Sequence, residues 1–119
     1  MSNEIENEIV AKGLIAPRIT PADVEANIAC EYCFTAGQAL DAIEAPTTPE
    51  LHLLTICVLV LKNGFTVVGT SACASPENFD AELGCKIAKK AAVDQVWPLM
   101  GYELRSKLST GKTAEETHL

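Results

Sequence analysis

The chain has 119 residues, enough for one domain with a buried core that needs neither metal nor disulfides to hold it. Nine Lys+Arg stand against sixteen Asp+Glu, a formal net charge of -7, and no basic run is present to neutralise a phosphate backbone, which argues against duplex nucleic acid as a partner. No stretch approaches the roughly 18 uncharged apolar residues of a membrane span, and the start MSNEIENEIV is acidic where a signal peptide is basic and then apolar. The expectation is a protein of the cytoplasm, with Cys30, Cys33, Cys57, Cys73 and Cys85 as reduced thiols, each most simply a small core residue.

Residues 1–19 read as an arm with a weak amphipathic pattern (Ile5, Ile9, Leu14) ended by Gly13 and Pro17. Thr20-Pro21-Ala22-Asp23 is a capping box with proline in the first turn, so a helix is predicted to start there. The pattern can carry it through Ile43, with Val24 and Ile28 opening a stripe that Cys33, Leu40 and Ile43 continue on a drifting face, although Gly37 weakens its second half. EAPTTPE, from Glu44 to Glu50, is the loop that ends it.

The period then changes. Two β-branched and aliphatic runs, Leu51 to Lys62 and Phe65 to Ala74, are separated by Asn63-Gly64 alone, the strongest short-range hairpin signal. A two-residue turn would set Lys62 opposite Phe65 and pair Val60 with Val67, Val58 with Gly69, Ile56 with Ser71 and Leu54 with Cys73, leaving Cys57 and Cys73 on opposite faces. Both faces of the first strand are apolar, so each must be covered, by helices or by another subunit. Two strands are marginal in water, which calls for a third strand from a poorly patterned segment or a sheet completed across an oligomer.

Ser75-Pro76-Glu77-Asn78 opens a further helix, with Ser75 or Asn78 as the capping side chain. Phe79, Leu83, Ile87 and Ala91 follow at i, i+4 spacing and are expected to pack on the sheet. Pro98 should break or kink this helix. A short final helix carries Met100, Leu104 and Leu108 on one face, and residues 109–119 form a polar tail expected to be disordered. The fold class is therefore α+β, a small antiparallel sheet packed by an N-terminal and a C-terminal helix, as one domain over residues 20–108 that is expected to oligomerise.

Chemistry is sparsely signalled. Cys30-x-x-Cys33 lies within the predicted helix rather than at its start, where the dipole would activate a thiol, and with only His52 and His118 available no zinc set is completed. No nucleophile elbow, phosphate loop or metalloprotease motif occurs, so no catalytic residue, metal or cofactor is expected. The Ser75 to Asn78 turn offers backbone N–H groups at a helix start, where an anion is favoured. Phe65 could stack on a base, and Lys86, Lys89, Lys90 and Arg105 could join such a site across a subunit boundary. The plainer readings are Asn78 as a cap, Phe79 as core and the lysines as a solvated face. Trp97 and Tyr102 read as core or interface anchors.

FTAGQALDAI, LLTICVLVLKNGFTVVGTSACASPENFDAELGCKIAKK and VWPLMGYELRSKL together resemble the gene-49/gene-66 family of small proteins from tailed phages and prophages, over about Ile19 to Leu108. The distinctive pieces are the NGF turn, G-x-S-A-C, P-E-N-F-D and W-P-L-x-G-Y. The resemblance implies a compact α+β accessory protein in a bacterial host cell. A distant similarity to the Thoeris anti-defence nucleotide sponges would further imply sequestration of a small anionic ligand, such as a cyclic nucleotide or an ADP-ribose derivative. The chain departs from the family pattern at Cys33, where an aromatic or polar residue is expected, and at Cys85, where a basic residue is expected. The alternative is a protein-interaction module acting on a host or phage enzyme through its acidic surface and the Trp97 to Tyr102 segment.

Overall fold

The Asn63-Gly64 hairpin forms, but around a three-residue loop. In the computed structural model, which describes residues 3–14 and 16–117, Gly64 N donates to Leu61 O (2.9 Å) and Leu61 N to Phe65 O (2.8 Å). Gly64 has φ 90° while Asn63 keeps a negative φ. This is a turn followed by a left-handed glycine, where the predicted tight turn would need both residues left-handed. The extra loop residue shifts the register by one. Strands β2 (Leu54–Leu61) and β3 (Thr66–Ala72) pair Leu59 with Val67, Val58 with Val68 and Cys57 with Gly69, correcting the Val60–Val67 alignment. Cys57 and Cys73 therefore share a parity rather than opposing each other, although Cys73 lies beyond the end of β3.

The chain divides into two compact units, Asn27–Val96 and Met1–Ala26 with Trp97–Leu119. The first holds the sheet. Its third strand comes from inside the segment expected to be one helix: α2 (Pro21–Ala26) ends early, β1 (Ile28–Thr35) follows, and α3 (Ala36–Ala42) restarts. The sheet order is β1-β2-β3, all antiparallel, with a bulge in β1 between Ile28 and Cys30. IACEYCFT is rich in β-branched, aromatic and cysteine residues, and the unpaired edge of β2 offers a ladder that outweighs its ambiguous helical period. Thr35 then caps α3 through a reciprocal box with Gln38, Thr35 Oγ1 accepting from Gln38 N (3.1 Å) and Gln38 Oε1 from Thr35 N (2.9 Å).

One face of the sheet is closed by the first part of α4 (Ala81–Thr117). That face carries Glu31, Cys33 and Thr35 of β1, Thr55, Cys57, Leu59 and Leu61 of β2, and Val67, Gly69 and Ser71 of β3. The helix does not use its large residues here: Leu83 and Ile87 stay 54% and 49% exposed, whereas Ala88, Ala92 and Val96 are fully buried. A Cβ at Gly69 would overlap backbone atoms of Ala88 and Ala92, and one at Gly84 would lie 2.8 Å from Thr55 Oγ1. The small-residue side seats the helix axis closer to the sheet than the expected Phe79-Leu83-Ile87-Ala91 side could.

Two links fasten β1 to α4. Cys33 and Cys85, 52 positions apart, are joined by a disulfide with Cα atoms 6.0 Å apart, so the expectation of five reduced thiols is corrected for this pair. Beside it, Lys89 Nζ lies 3.1 Å from Glu31 Oε1. Residues 85 and 89 are one helical turn apart and 31 and 33 share a strand face, so both links fall in one row. Cys30 and Cys33, an odd spacing apart on a strand, point to opposite faces, and Cys30 remains a free, exposed thiol. Cys57 is buried and free, and desolvation raises its pKa, with Glu31 adding to the shift.

In the other unit, Glu8 of α1 (Asn3–Ala11) pairs with Lys12 just past the helix end. Arg18 grips Glu6 with both guanidinium nitrogens (2.7 and 3.1 Å). The predicted Thr20/Asp23 box is formed, and the N–H and hydroxyl of Thr20 hold Asp23 below the usual carboxylate range. Helix α4 continues through Pro98 and the polar segment to Thr117, with no break at Trp97. No helix among the described residues is long and apolar enough to cross a membrane.

Candidate functional site

Where β1 ends and α4 begins, a cleft of about 450 Å³ opens within the sheet unit, lined by residues that include Thr35, Gln38, His52, Leu53, Pro76 and Phe79. Its geometry follows from local signals. The Thr35 box turns the chain from strand into helix, and the 3-10 turn Pro49–Leu53 presents His52. Gly37 lets α3 lie against the His52 ring, since a Cβ there would sit 2.5 Å from ring atoms. The turn Pro76–Asn78 then brings Phe79 in from the other side. Thr55, 2% exposed, and the Cys33–Cys85 disulfide complete the lining. A smaller cleft of about 140 Å³ shares Leu53, Thr55 and Phe79 and runs along the end of β3, past Asn78 and Leu83.

Among the described residues that line the cleft, His52 is the one that titrates near neutral pH. Its Nε2 lies 2.8 Å from Asp41 Oδ2, and that hydrogen bond raises its pKa above the ordinary imidazole value against a smaller desolvation effect. Near neutrality the ring therefore carries more positive charge than a free histidine would. No lysine or arginine lines the cleft among the described residues. The chemistry on offer is an apolar wall (Leu53, Pro76, Phe79), a few hydrogen-bonding groups and one protonable imidazole whose charge is met by Asp41.

The residues singled out from the sequence fall in several places. Ser75 and Asn78 flank the turn that walls the cleft, with Asn78 N donating to Ser75 O (3.1 Å) and Ser75 Oγ to Glu77 Oε2 (2.5 Å). That hydroxyl is the main cause holding Glu77 below its ordinary value. Neither Ser75 nor Asn78 supplies the helix cap: Asp80 does, its Oδ1 accepting from Leu83 N (3.0 Å). Three acids, Glu77, Asp80 and Glu82, thus crowd the helix start where an anion was expected. Phe65 is 55% exposed beside the hairpin tip, separated from Ser75 by the length of β3, on the order of 20 Å. Lys86 pairs with Glu82 (3.5 Å) and Lys90 with Asp94 (3.3 Å), each within its own helix. Trp97, Tyr102 and Arg105 belong to the other unit, with Tyr102 78% exposed.

The sequence pointed to His52 only as a member of an incomplete zinc set, and to Thr35 and Gln38 as site residues not at all. The T-A-G-Q box was a legible signal for the last two. His52 had none, because its partner Asp41 is eleven positions away and on another element. Among the described residues, no group of three or more His, Cys, Asp or Glu could hold a metal ion.

A family model described as Phage protein (N4 Gp49/phage Sf6 gene 66) family matches residues 19–108. No curated protein and no solved structure matches the chain, so the similarity to nucleotide sponges finds no support among them.

Proposed function

The chain belongs to the phage protein (N4 Gp49/phage Sf6 gene 66) family, and from that premise we propose that it is a non-catalytic accessory protein that holds a small ligand in the cleft at the start of α4. The observation that carries this reading is the pairing of an apolar wall with a single protonable imidazole in about 450 Å³. A nucleoside-sized molecule fits that volume. With its one imidazole already paired to Asp41 and acids at the helix start, the cleft favours a ring-bearing ligand with at most one anionic group, and works against a cyclic oligonucleotide or a diphosphate such as an ADP-ribose derivative. Sequestration of such a host metabolite or signal, without turnover, is the role this chemistry suits.

Native mass spectrometry against nucleosides, mononucleotides, aromatic monoacids, cyclic oligonucleotides and ADP-ribose derivatives tests it. The expected result is a retained ligand released intact on denaturation, with affinity lowered about tenfold or more by Phe79→Ala and weakened as pH rises through the His52 pKa. Binding untouched by both Phe79→Ala and His52→Ala would remove the site assignment, and a chemically altered ligand would make the protein an enzyme. An empty protein across the panel, with capture of a host enzyme that depends on Trp97, would favour the interaction-module reading.

A further inference from the structure

The second face of the sheet is built from the even-numbered positions of all three strands, and it is unlike the rest of the chain. Its central row is Tyr32, Val58 and Val68, in register across β1, β2 and β3. Ile56 and Val60 flank Val58 on β2, and Tyr32 and Val68 are 56% and 45% exposed. No position on this face carries a charge, in a chain whose formal net charge is -7. Half-buried aliphatic side chains along the central strand, flanked by an exposed valine and an exposed tyrosine on the two edge strands, have the composition of an interface core rather than of a solvated strand surface.

We infer that this face is a symmetric interface between two copies of the chain, packed sheet on sheet. Charge argues for the second copy. Two molecules of net charge -7 repel over most of their surfaces, and an uncharged patch is where they can meet without burying like charges. A partner recognised by charge complementarity to this acidic protein would bind elsewhere. The patch is also self-complementary: a twofold axis near Val58 sets β2 against β2, with the threonines of β3 toward the rim. Sheets packed this way lie about 10 Å apart with strands within about 30° of each other. Three strands about 4.8 Å apart and eight residues of about 3.3 Å rise give, with side-chain relief, on the order of 500 Å² per copy, so about 1,000 Å² for the pair, the lower bound of a specific interface. The dimer should therefore be concentration-dependent.

Sedimentation equilibrium of the full chain from about 1 to 200 μM is the direct measurement, with Val58→Asp and Val68→Lys as variants. Val68 lies on an edge strand and already faces solvent, so Val68→Lys keeps the test open if Val58→Asp fails to fold. The expected result is a reversible dimer whose dissociation constant rises at least about tenfold in Val68→Lys with unchanged circular dichroism. Cys30, free and exposed on the same face, supplies a second readout: its alkylation should slow as the wild-type protein is concentrated and not in the variant. A monomer throughout the range with Cys30 reactive overturns the inference. So does a monomer with Cys30 protected, which would mean that another segment of the same chain covers the face. A dimer indifferent to both substitutions would place the interface elsewhere.

Discussion

The two faces of the sheet are made of the same three strands and obey opposite rules. The odd-numbered face is closed by a helix seated on Gly69, with small residues at Gly84, Ala88 and Ala92 and a disulfide pinning the flank. The even-numbered face has larger aliphatic and aromatic residues and no such fit within its own unit. The difference shows what close packing costs in sequence freedom: the helix face tolerates almost no added atom at its centre, whereas the open face keeps surface that a partner could bury.

The contrast breaks most readily at its tightest point. Gly69→Ala should lower the urea-derived stability by more than about 3 kcal/mol or prevent folding, because the atoms it meets are backbone, while the neighbouring Thr70→Ala on the other face should stay within about 0.5 kcal/mol of wild type. Equal effects at the two positions would mean that the helix can lift away at little cost. Next in size is the disulfide. Its reduction, or Cys33→Ser with Cys85→Ser, should cost about 2–4 kcal/mol, read as a lower urea midpoint with a steeper slope, because the unlinked unfolded chain exposes more surface. An unmoved midpoint would show that Lys89–Glu31 and the helix seat suffice. Thr35→Ala, at the end of the closed face, removes the α3 cap and should cost about 1 kcal/mol, with Thr35→Ser recovering most of it.

The smallest effect is electrostatic. Because the Asp41 hydrogen bond raises the His52 pKa, the stabilisation from this pair is complete below the unfolded-state value near 6.5 and disappears as pH rises through the higher folded value. The difference in melting temperature between wild type and His52→Ala should therefore be largest below about pH 6.5 and narrow as pH rises through the folded-state value. A difference independent of pH would assign His52 a packing role only, against Gly37.

Much of this architecture was legible because it rests on local chemistry. Thr20 with Asp23 announced a helix start, Asn63-Gly64 announced a hairpin, and the apolar character of both sides of Leu54–Leu61 required a partner on each. The single helix from Thr20 to Ile43 failed for a non-local reason: IACEYCFT has no decisive period of its own and becomes a strand because β2 has an edge to fill. The helix-start site was only partly legible, since the turn at Ser75 to Asn78 is adjacent to the cleft but its capping acid is Asp80 and its other wall comes from the His52 turn. Phe65 and Asn78 were linked by chemical type, and a strand lies between them.

Sequence alone determined the α+β class, the hairpin and the family to which the chain belongs, because these depend on residue patterns a few positions long or on motifs matched in order. Tertiary structure decided the register, the side of α4 that meets the sheet, the Cys33–Cys85 link and the His52 cleft. Each of these depends on distances between residues far apart in the chain, and a one-residue change in a turn moves every side chain to the other face.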